Sequence, residues 1–376
     1  MKRKLLAALV ASLFAAASAF AQGSSVTIYG TLNADFENIE AEGADGAGSD
    51  LDSRNRVQSN SSNIGFRGTE DLGNGLKAIF QIESSINLDT GGGNLGGRNS
   101  NVGLTGPWGT AFYGNWDTPY KSIGSRLDSW YSTGIGSHIG LFGNTGGRAK
   151  AGQASPTGPN NTNPDSFDRR QNNSVQYWTP NFNGLAARLA YSANEEKVDT
   201  AAGELDPSLW SGAVTYLNGP LYIAFAYERH EDYGGVDLED DGIVAGIGYT
   251  FGNTTVNLIA ERLDYELAGG SDADRDAYHV GALHKIGAIT LRGSFTIADD
   301  VDGFDESGAT MVTAGASYSF SKRTDVYFVF SQISNDDNAT YDFFSPTGTF
   351  NTNNVAAPAT AGRDPRGFGL GIRHSY

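Results

Sequence analysis

Residues whose types and spacing could carry chemistry are few. The run Gly91-Gly92-Gly93-Asn94-Leu95-Gly96 satisfies G-x-G-x-x-G, the spacing that lets backbone amides surround phosphates. That chemistry needs a helix terminus directly after the turn, and no helical pattern follows. Asp237-Leu238-Glu239-Asp240-Asp241-Gly242 begins like a calcium loop. The closing carboxylate position falls on Gly248, inside an alternating apolar segment, so an EF-hand is rejected. The five histidines, His138, His230, His279, His284 and His374, have no metal-ligand spacing, and the chain has no cysteine. No Ser/His/Asp set arises either. The chain is therefore expected to hold no cofactor and no metal, and to be no enzyme.

The elements that would position any side chain are strands. In Leu221-Tyr222-Ile223-Ala224-Phe225-Ala226-Tyr227-Glu228 one face reads Leu221, Ile223, Phe225 and Tyr227; the other reads Tyr222, Ala224, Ala226 and Glu228. Sixteen such segments begin near positions 26, 63, 76, 99, 110, 172, 185, 209, 221, 243, 254, 277, 289, 312, 324 and 367. Seven connections are short, several of them Asn-Gly turns that tolerate positive φ. Eight are long, polar and acidic: 40–60, 89–97, 118–169, 195–207, 230–241, 268–275, 299–308 and 335–366.

Lys2, Arg3 and Lys4, the apolar run 5–20 and the small-residue site Ala19-Phe20-Ala21 form a secretory signal pattern. Cleavage is expected between Ala21 and Gln22, leaving 22–376 as one domain. The formal net charge is −17, and the removed segment carries three cations and no acids, so the exported chain is more acidic still. That balance opposes nucleic-acid binding. An exported chain without cysteines, with 50 glycines and strictly alternating long and short connections, reads as a closed all-β barrel crossing an outer membrane. Its apolar face turns to lipid, and its small or polar face lines water. A soluble β-sandwich would not need that alternation of loop lengths. Trp108, Trp178, Tyr216, Tyr249, Phe251, Tyr318 and Phe320 fall at strand ends near short turns and read as an interfacial girdle. An outer-membrane lipase is the enzyme class to exclude. It would need a lipid-facing serine beside a histidine, and His374-Ser375 puts the two on opposite faces.

Arg67-Gly68-Thr69-Glu70-Asp71-Leu72-Gly73-Asn74-Gly75-Leu76-Lys77-Ala78 closely resembles the strand–turn–strand hallmark of Gram-negative general porins, the beta-proteobacterial branch above all. Ser25-Val26-Thr27-Ile28-Tyr29-Gly30, Arg98-Asn99-Ser100-Asn101-Val102-Gly103-Leu104, the entry Arg170-Gln171-Asn172-Asn173-Ser174-Val175-Gln176-Tyr177-Trp178-Thr179-Pro180 and the closing strand resemble that family too. The resemblance spans the mature chain. It implies a 16-stranded antiparallel transmembrane β-barrel, a homotrimer, in which the third external loop (here 118–169) folds inward to narrow the pore. The middle of that loop carries Arg126, Asp128, Trp130 and Tyr131. A solvated surface loop is the alternative to a constriction.

In the resembled family, wall arginines oppose loop carboxylates, and low-dielectric walls focus the transverse field. The matching positions are Arg67, Arg98 and Arg170 on the second, fourth and sixth strands. Parity agrees for Arg170, because Val175 and Tyr177 take the lipid face; Arg188 and Arg292 are lumenal by the same rule. For each arginine, a structural pairing or a rim charge stands beside direct solute contact. Asn63 and Asn115 occupy places where the family commonly has arginine. Their neutrality leaves Glu83, Asp117 and Asp128 less opposed and implies weak or cation-leaning selectivity. The expected activity is passive diffusion of ions and small hydrophilic solutes. A solute-specific channel is the alternative, and an adhesin or structural anchor a more distant one.

The closing strand Gly367-Phe368-Gly369-Leu370-Gly371-Ile372-Arg373-His374-Ser375-Tyr376 should pair with the first near Val26 and seal the sheet. By resemblance, Phe368, Ile372 and Tyr376 form the signal read by the barrel-assembly machinery. Lipopolysaccharide is the expected neighbour of the acidic loops, with loose divalent-ion binding left open.

Overall fold

Alternation of large apolar with small or polar residues builds one antiparallel sheet. The computed structural model describes residues 25–43, 50–131, 133–145, 166–193, 195, 197–344 and 361–376. The signal segment, with the Ala21/Gln22 site, and the stretch 160–164 lie outside them. In chain order the strands are β1 (Ser25–Glu42), β2 (Leu51–Ser59), β3 (Asn63–Gly73), β4 (Leu76–Ser85), β5 (Ser100–Gly106) and β6 (Gly109–Asp117). After helix α1 (Lys121–Leu127) come β7 (Arg170–Trp178), β8 (Leu185–Ser192), β9 (Val198–Thr200), β10 (Gly203–Leu205) and β11 (Ser208–Asn218). The remainder are β12 (Leu221–Glu231), β13 (Glu239–Phe251), β14 (Thr254–Leu267), β15 (Ser271–Ile286), β16 (Ile289–Ala298), β17 (Ala309–Ser319), β18 (Thr324–Asn335) and β19 (Asp364–Ser375).

β9 and β10 make a separate hairpin inside a long connection; the other 17 strands form one sheet. β2 and β3 lie end to end along β1, with Ala34 opposite Ser59 and Thr31 opposite Asn63, so they act as one stave of a closed 16-stave barrel. Closure leaves no sheet edge in hydrocarbon, where an unpaired backbone group costs several kcal/mol.

The seam differs from the expected one. β19 meets β1 from Thr31↔Ser375 to Glu42↔Asp364, while Val26 faces Gly68 of β3 instead. The stagger that closes a tilted sheet shifts the partners along β1. Strand bounds shift too: connection 40–60 is mostly strand, and β13 and β15 begin at Glu239 and Ser271 rather than near 243 and 277. In these extensions the residues of both faces are mostly polar or small, although one face is buried, so apolar alternation no longer marks a strand.

The short turns behave as expected: Asn74 and Gly75 take φ of 54° and 79°, and Asn183 and Gly184 take 54° and 100°. Outward side chains such as Phe36, Phe80, Tyr113, Phe225, Leu258 and Leu370 are exposed on the barrel. A continuous apolar exterior of this kind is a lipid surface. Moving each large side chain into hydrocarbon contributes about 1.5–3 kcal/mol. Trp108, Tyr249, Phe251, Tyr318 and Phe320 stand exposed by the short turns. Trp178 is the exception among the girdle residues: it turns inward, 5.1 Å from Phe112 and 5.8 Å from Trp116.

The inner face is not uniformly wet. Ile123, Leu127, Trp130, Ile135, Leu141, Phe142 and Phe167 of the 118–169 connection pack with Ala213, Ala224, Ala226, Val244, Ile259 and Val329 of the wall. Small wall residues admit the loop rather than water. A Cβ on Gly246 would stand 2.2 Å from a Leu127 methyl carbon.

Candidate functional site

The loop after β6 folds into the barrel because its own pattern is amphipathic. Ile123 and Leu127, four residues apart on α1, are buried, while Ser125 on the opposite face and Arg126 at the flank are exposed. The helix packs against β12, β13 and β14, and the turn Gly134–Gly136 reaches β18 and β19. The loop thus lines the β12–β19 half of the wall. Near Gly134 it also approaches Glu37 of β1 and Asn60, while β3 to β8 form the facing wall.

Asp128 ends the helix in extended conformation and organises the next turn. Its carboxylate accepts from the Trp130 and His138 amides (2.8 and 3.1 Å), the Ser137 hydroxyl (3.1 Å) and the His138 ring at Nδ1 (2.8 Å). Burial alone would raise its pKa, but the imidazolium beside it holds the carboxyl down at about 2. Burial disfavours the His138 charge, yet Asp128 outweighs it and raises the imidazole above its ordinary value. The expected role of Asp128 as an under-opposed lumenal carboxylate is therefore corrected. Its side chain is fully buried and shapes the loop from within.

Glu261 on β14 is the second anchor. It accepts from the Tyr120 hydroxyl (2.8 Å) and the Gly143 amide (2.8 Å), and pairs with Arg275 of β15 at 2.5 Å. Arg275 in turn donates to the Leu141 carbonyl at 2.8 Å. Both ends of the inward segment are thereby bonded to neighbouring staves.

The facing wall carries the other candidates. Arg98 lies in the bend just before β5 rather than on the strand, and its Nε sits 2.6 Å from Glu83, which also accepts from Tyr29 at 2.9 Å. Arg170 opens β7 and pairs with Asp117 at 3.1 Å, while Lys121 stands 3.8 Å from Asp117 and 3.3 Å from Asp168. Asn99 ties these pairs together, accepting from Arg170 (2.7 Å) and donating to Asp117 (2.8 Å). Glu83 and Asp117 are thus opposed by Arg98, Arg170 and Lys121 despite the neutral residues at 63 and 115.

Asn115 donates to the Gly97 and Arg98 carbonyls, each at 3.2 Å, and so fixes the bend that presents Arg98. Asn63 borders a polar cavity of about 330 Å³ shared with Arg98, Tyr131, Arg323 and Arg373. Four further arginines lie over aromatic rings: Arg67 over Tyr29 (4.9 Å), Arg126 over Tyr222 (5.3 Å), Arg188 over Trp178 (4.4 Å) and Arg292 over Trp130 (5.3 Å). None of the four has a salt bridge among the described residues. The structure gathers Arg67, Arg98, Arg170, Glu83, Asp117, Asn63 and Asn115 on one half of the lumen, joined by Arg188. Arg126 stands on the loop.

Tyr29, Asn99 and Lys121 were not anticipated. Tyr29 follows the outward Ile28, so alternation alone would have placed it inside.

Known proteins agree with this architecture. A family model described as Gram-negative porin matches residues 6–338. The chain is 30% identical over 382 residues to outer membrane porin protein 32 of Delftia acidovorans, covering 100% of both chains. It is 28% identical over 336 residues to major outer membrane protein P.IB of Neisseria meningitidis, covering 86% of this chain and 91% of that protein. Among solved structures, the anion-selective porin from Comamonas acidovorans superposes with a TM-score of 0.77 at 28% identity, over 94% of this chain and 100% of that one. A barrel that is apolar outside, a loop bonded across its lumen and these matches give one conclusion: the chain belongs to the Gram-negative porin family and is an outer-membrane diffusion porin.

Proposed function

We propose that the inward loop and the β3–β8 wall form the constriction through which ions and small hydrophilic solutes pass, and that this constriction leans weakly toward anions. The observation that carries the sign is the asymmetry of pairing. Glu83 and Asp117 each face a cation within 4 Å, whereas Arg67, Arg126, Arg188 and Arg292 rest on rings that leave their charge intact. In a narrow low-dielectric passage such uncompensated charges outweigh the acidic loops at the outer mouth. This reading reverses the lean inferred from Asn63 and Asn115, and it keeps the weakness, since both asparagines remain neutral. A relative of 28% identity described as anion-selective supports it. Reversal potentials across planar bilayers in a KCl gradient test the sign. A modest chloride preference is expected, and a clear potassium preference would overturn the proposal.

We also propose a homotrimer, with support from the family and from a solved porin of Vibrio cholerae described in a trimer form. Its mass in detergent by light scattering tests this. Recognition of β19 by the assembly machinery, lipopolysaccharide around the loops and removal of residues 1–21 complete the proposal. N-terminal sequencing of outer-membrane material should begin at Gln22.

A further inference from the structure

We propose that the lumenal wall between β3 and β8 holds a binding recess for planar aromatic carboxylates. Phe112, Trp116 and Trp178 all turn inward there, while their neighbours Tyr113 and Tyr177 face outward. Their ring centroids are 5.1–5.8 Å apart in tilted or edge-on arrangements. Phe112 is buried beneath the pair, while Trp116 and Trp178 stay only half-buried at a water-lined wall, which a diffusion pore does not need and which costs solvation. The rings border a recess of about 290 Å³, edged by Arg67, Asn101 and Thr110. That is the low end of small-molecule sites and suits a single ring with one substituent. Gly103 lies beside the cluster, opposite Phe112. A Cβ there would stand 2.4 Å from the Phe112 Cβ, so the glycine lets the ring sit flush with the wall.

The polar groups at the recess select charge. Arg67 forms no ion pair and the Asn101 side chain no hydrogen bond among the described residues, so both are available to a carboxylate. Arg188 lies over one face of Trp178 at 4.4 Å and adds positive potential behind the ring. An inorganic anion would use Arg67 and gain nothing from the rings. A neutral aromatic would use the rings and leave the guanidinium unmatched. A carboxylate attached to a ring uses both, edge-to-face with the indoles and bidentate at the arginine.

The proposal rests on the pore reading, and single-channel recording of the full chain separates the two, since KCl steps report the open pore in the same traces. Benzoate is the probe, with acetate and benzyl alcohol as controls. Saturable benzoate block is expected at concentrations about tenfold below any effect of either control, the factor that one added favourable contact confers. Trp178→Leu and Arg67→Gln should each raise the half-blocking concentration about tenfold. Trp108→Leu, on the lipid-facing surface, should not. Equal block by acetate and benzoate, or no benzoate block in channels with normal KCl steps, overturns the proposal. If Trp178→Leu fails to assemble, Arg67→Gln decides: unchanged benzoate block in that variant also overturns it.

Discussion

The Tyr376 side chain fills the space over Gly30 on the outer face of the seam. A Cβ on Gly30 would stand 2.6 Å from the Tyr376 hydroxyl and 2.5 Å from the Asn63 carbonyl oxygen. The Tyr376 amide donates to the Gly30 carbonyl at 3.1 Å, so ring and backbone fasten the same point. An aromatic laid over a cross-strand glycine pins register where the sheet closes. Gly30→Val forces one of the two apart and should cost about 1–3 kcal/mol through overpacking. Deleting Tyr376 removes both the bond and the ring. Both variants should lower the yield of heat-modifiable folded barrel on gels before they alter the conductance of channels that do form. Normal yield from both would refute this role for the pair.

Much of this architecture is legible in the sequence, and the physical reasons also explain where it is not. Alternation places Val175 and Tyr177 outside and Ser174 and Gln176 inside, because a half-lipid, half-water environment enforces period two. It does not extend to Arg170: the register shifts between Gly114↔Ser174 and Trp116↔Gln171, with Asn173 at a φ of 48°, so the place of Arg170 follows from its contacts with Asp117 and Asn99. The same rule put Trp178 inside, but its position beside a turn suggested the girdle. β2 is hidden in the sequence because Asp52-Ser53-Arg54-Asn55-Arg56 is polar at every position, so no apolar face marks the strand. The partners of Glu83 depend on how the bend before β5 brings Arg98 back over β4, which no local pattern encodes. Asp128 looked like a lumenal charge because its partner His138 lies ten residues on, in a segment without periodicity.

Glu83 neutralises Arg98, so removing its charge should change selectivity. In Glu83→Gln the amide still accepts from Tyr29, and Arg98 loses its counter-ion. The reversal potential in a KCl gradient should move toward chloride. Asn63→Arg, which adds a cation beside the cavity it shares with Arg98, should move it the same way. A shift toward potassium in either variant contradicts the pairing scheme.

The Glu261–Arg275 pair holds the loop with side chains that are almost fully enclosed. Breaking such a pair by removing one partner typically costs about 3–5 kcal/mol, because the survivor is left buried and unpaired. Arg275→Met leaves the Glu261 carboxylate with only the Tyr120 hydroxyl and the Gly143 amide, and strips the Leu141 carbonyl of its donor. The barrel ladder itself is untouched. The variant should assemble yet show raised open-channel noise and a larger mean conductance as the loop loosens. Lowered melting with unchanged conductance would instead assign the pair to the wall alone.

The Asp128–His138 contact makes the loop pH-dependent in a definite direction. His138 is raised from an ordinary 6.5, so its share of the stabilisation is complete below 6.5 and is lost as pH rises through the folded value. Asp128 is lowered from 3.8 to about 2, so its share is complete above 3.8 and is lost as pH falls toward 2. The loop is held best between about 4 and 6.5. Asp168 and Glu261 also favour the imidazolium, and His279 packs its ring 5.2 Å from that of His138. Open-channel noise should therefore be lowest near pH 5 and rise toward pH 8.5. In His138→Gln the alkaline rise should disappear, because the amide still donates to Asp128 but does not titrate. The variant should instead show one intermediate noise level from pH 5 to 8.5. An alkaline rise that survives the substitution would place the titrating group elsewhere.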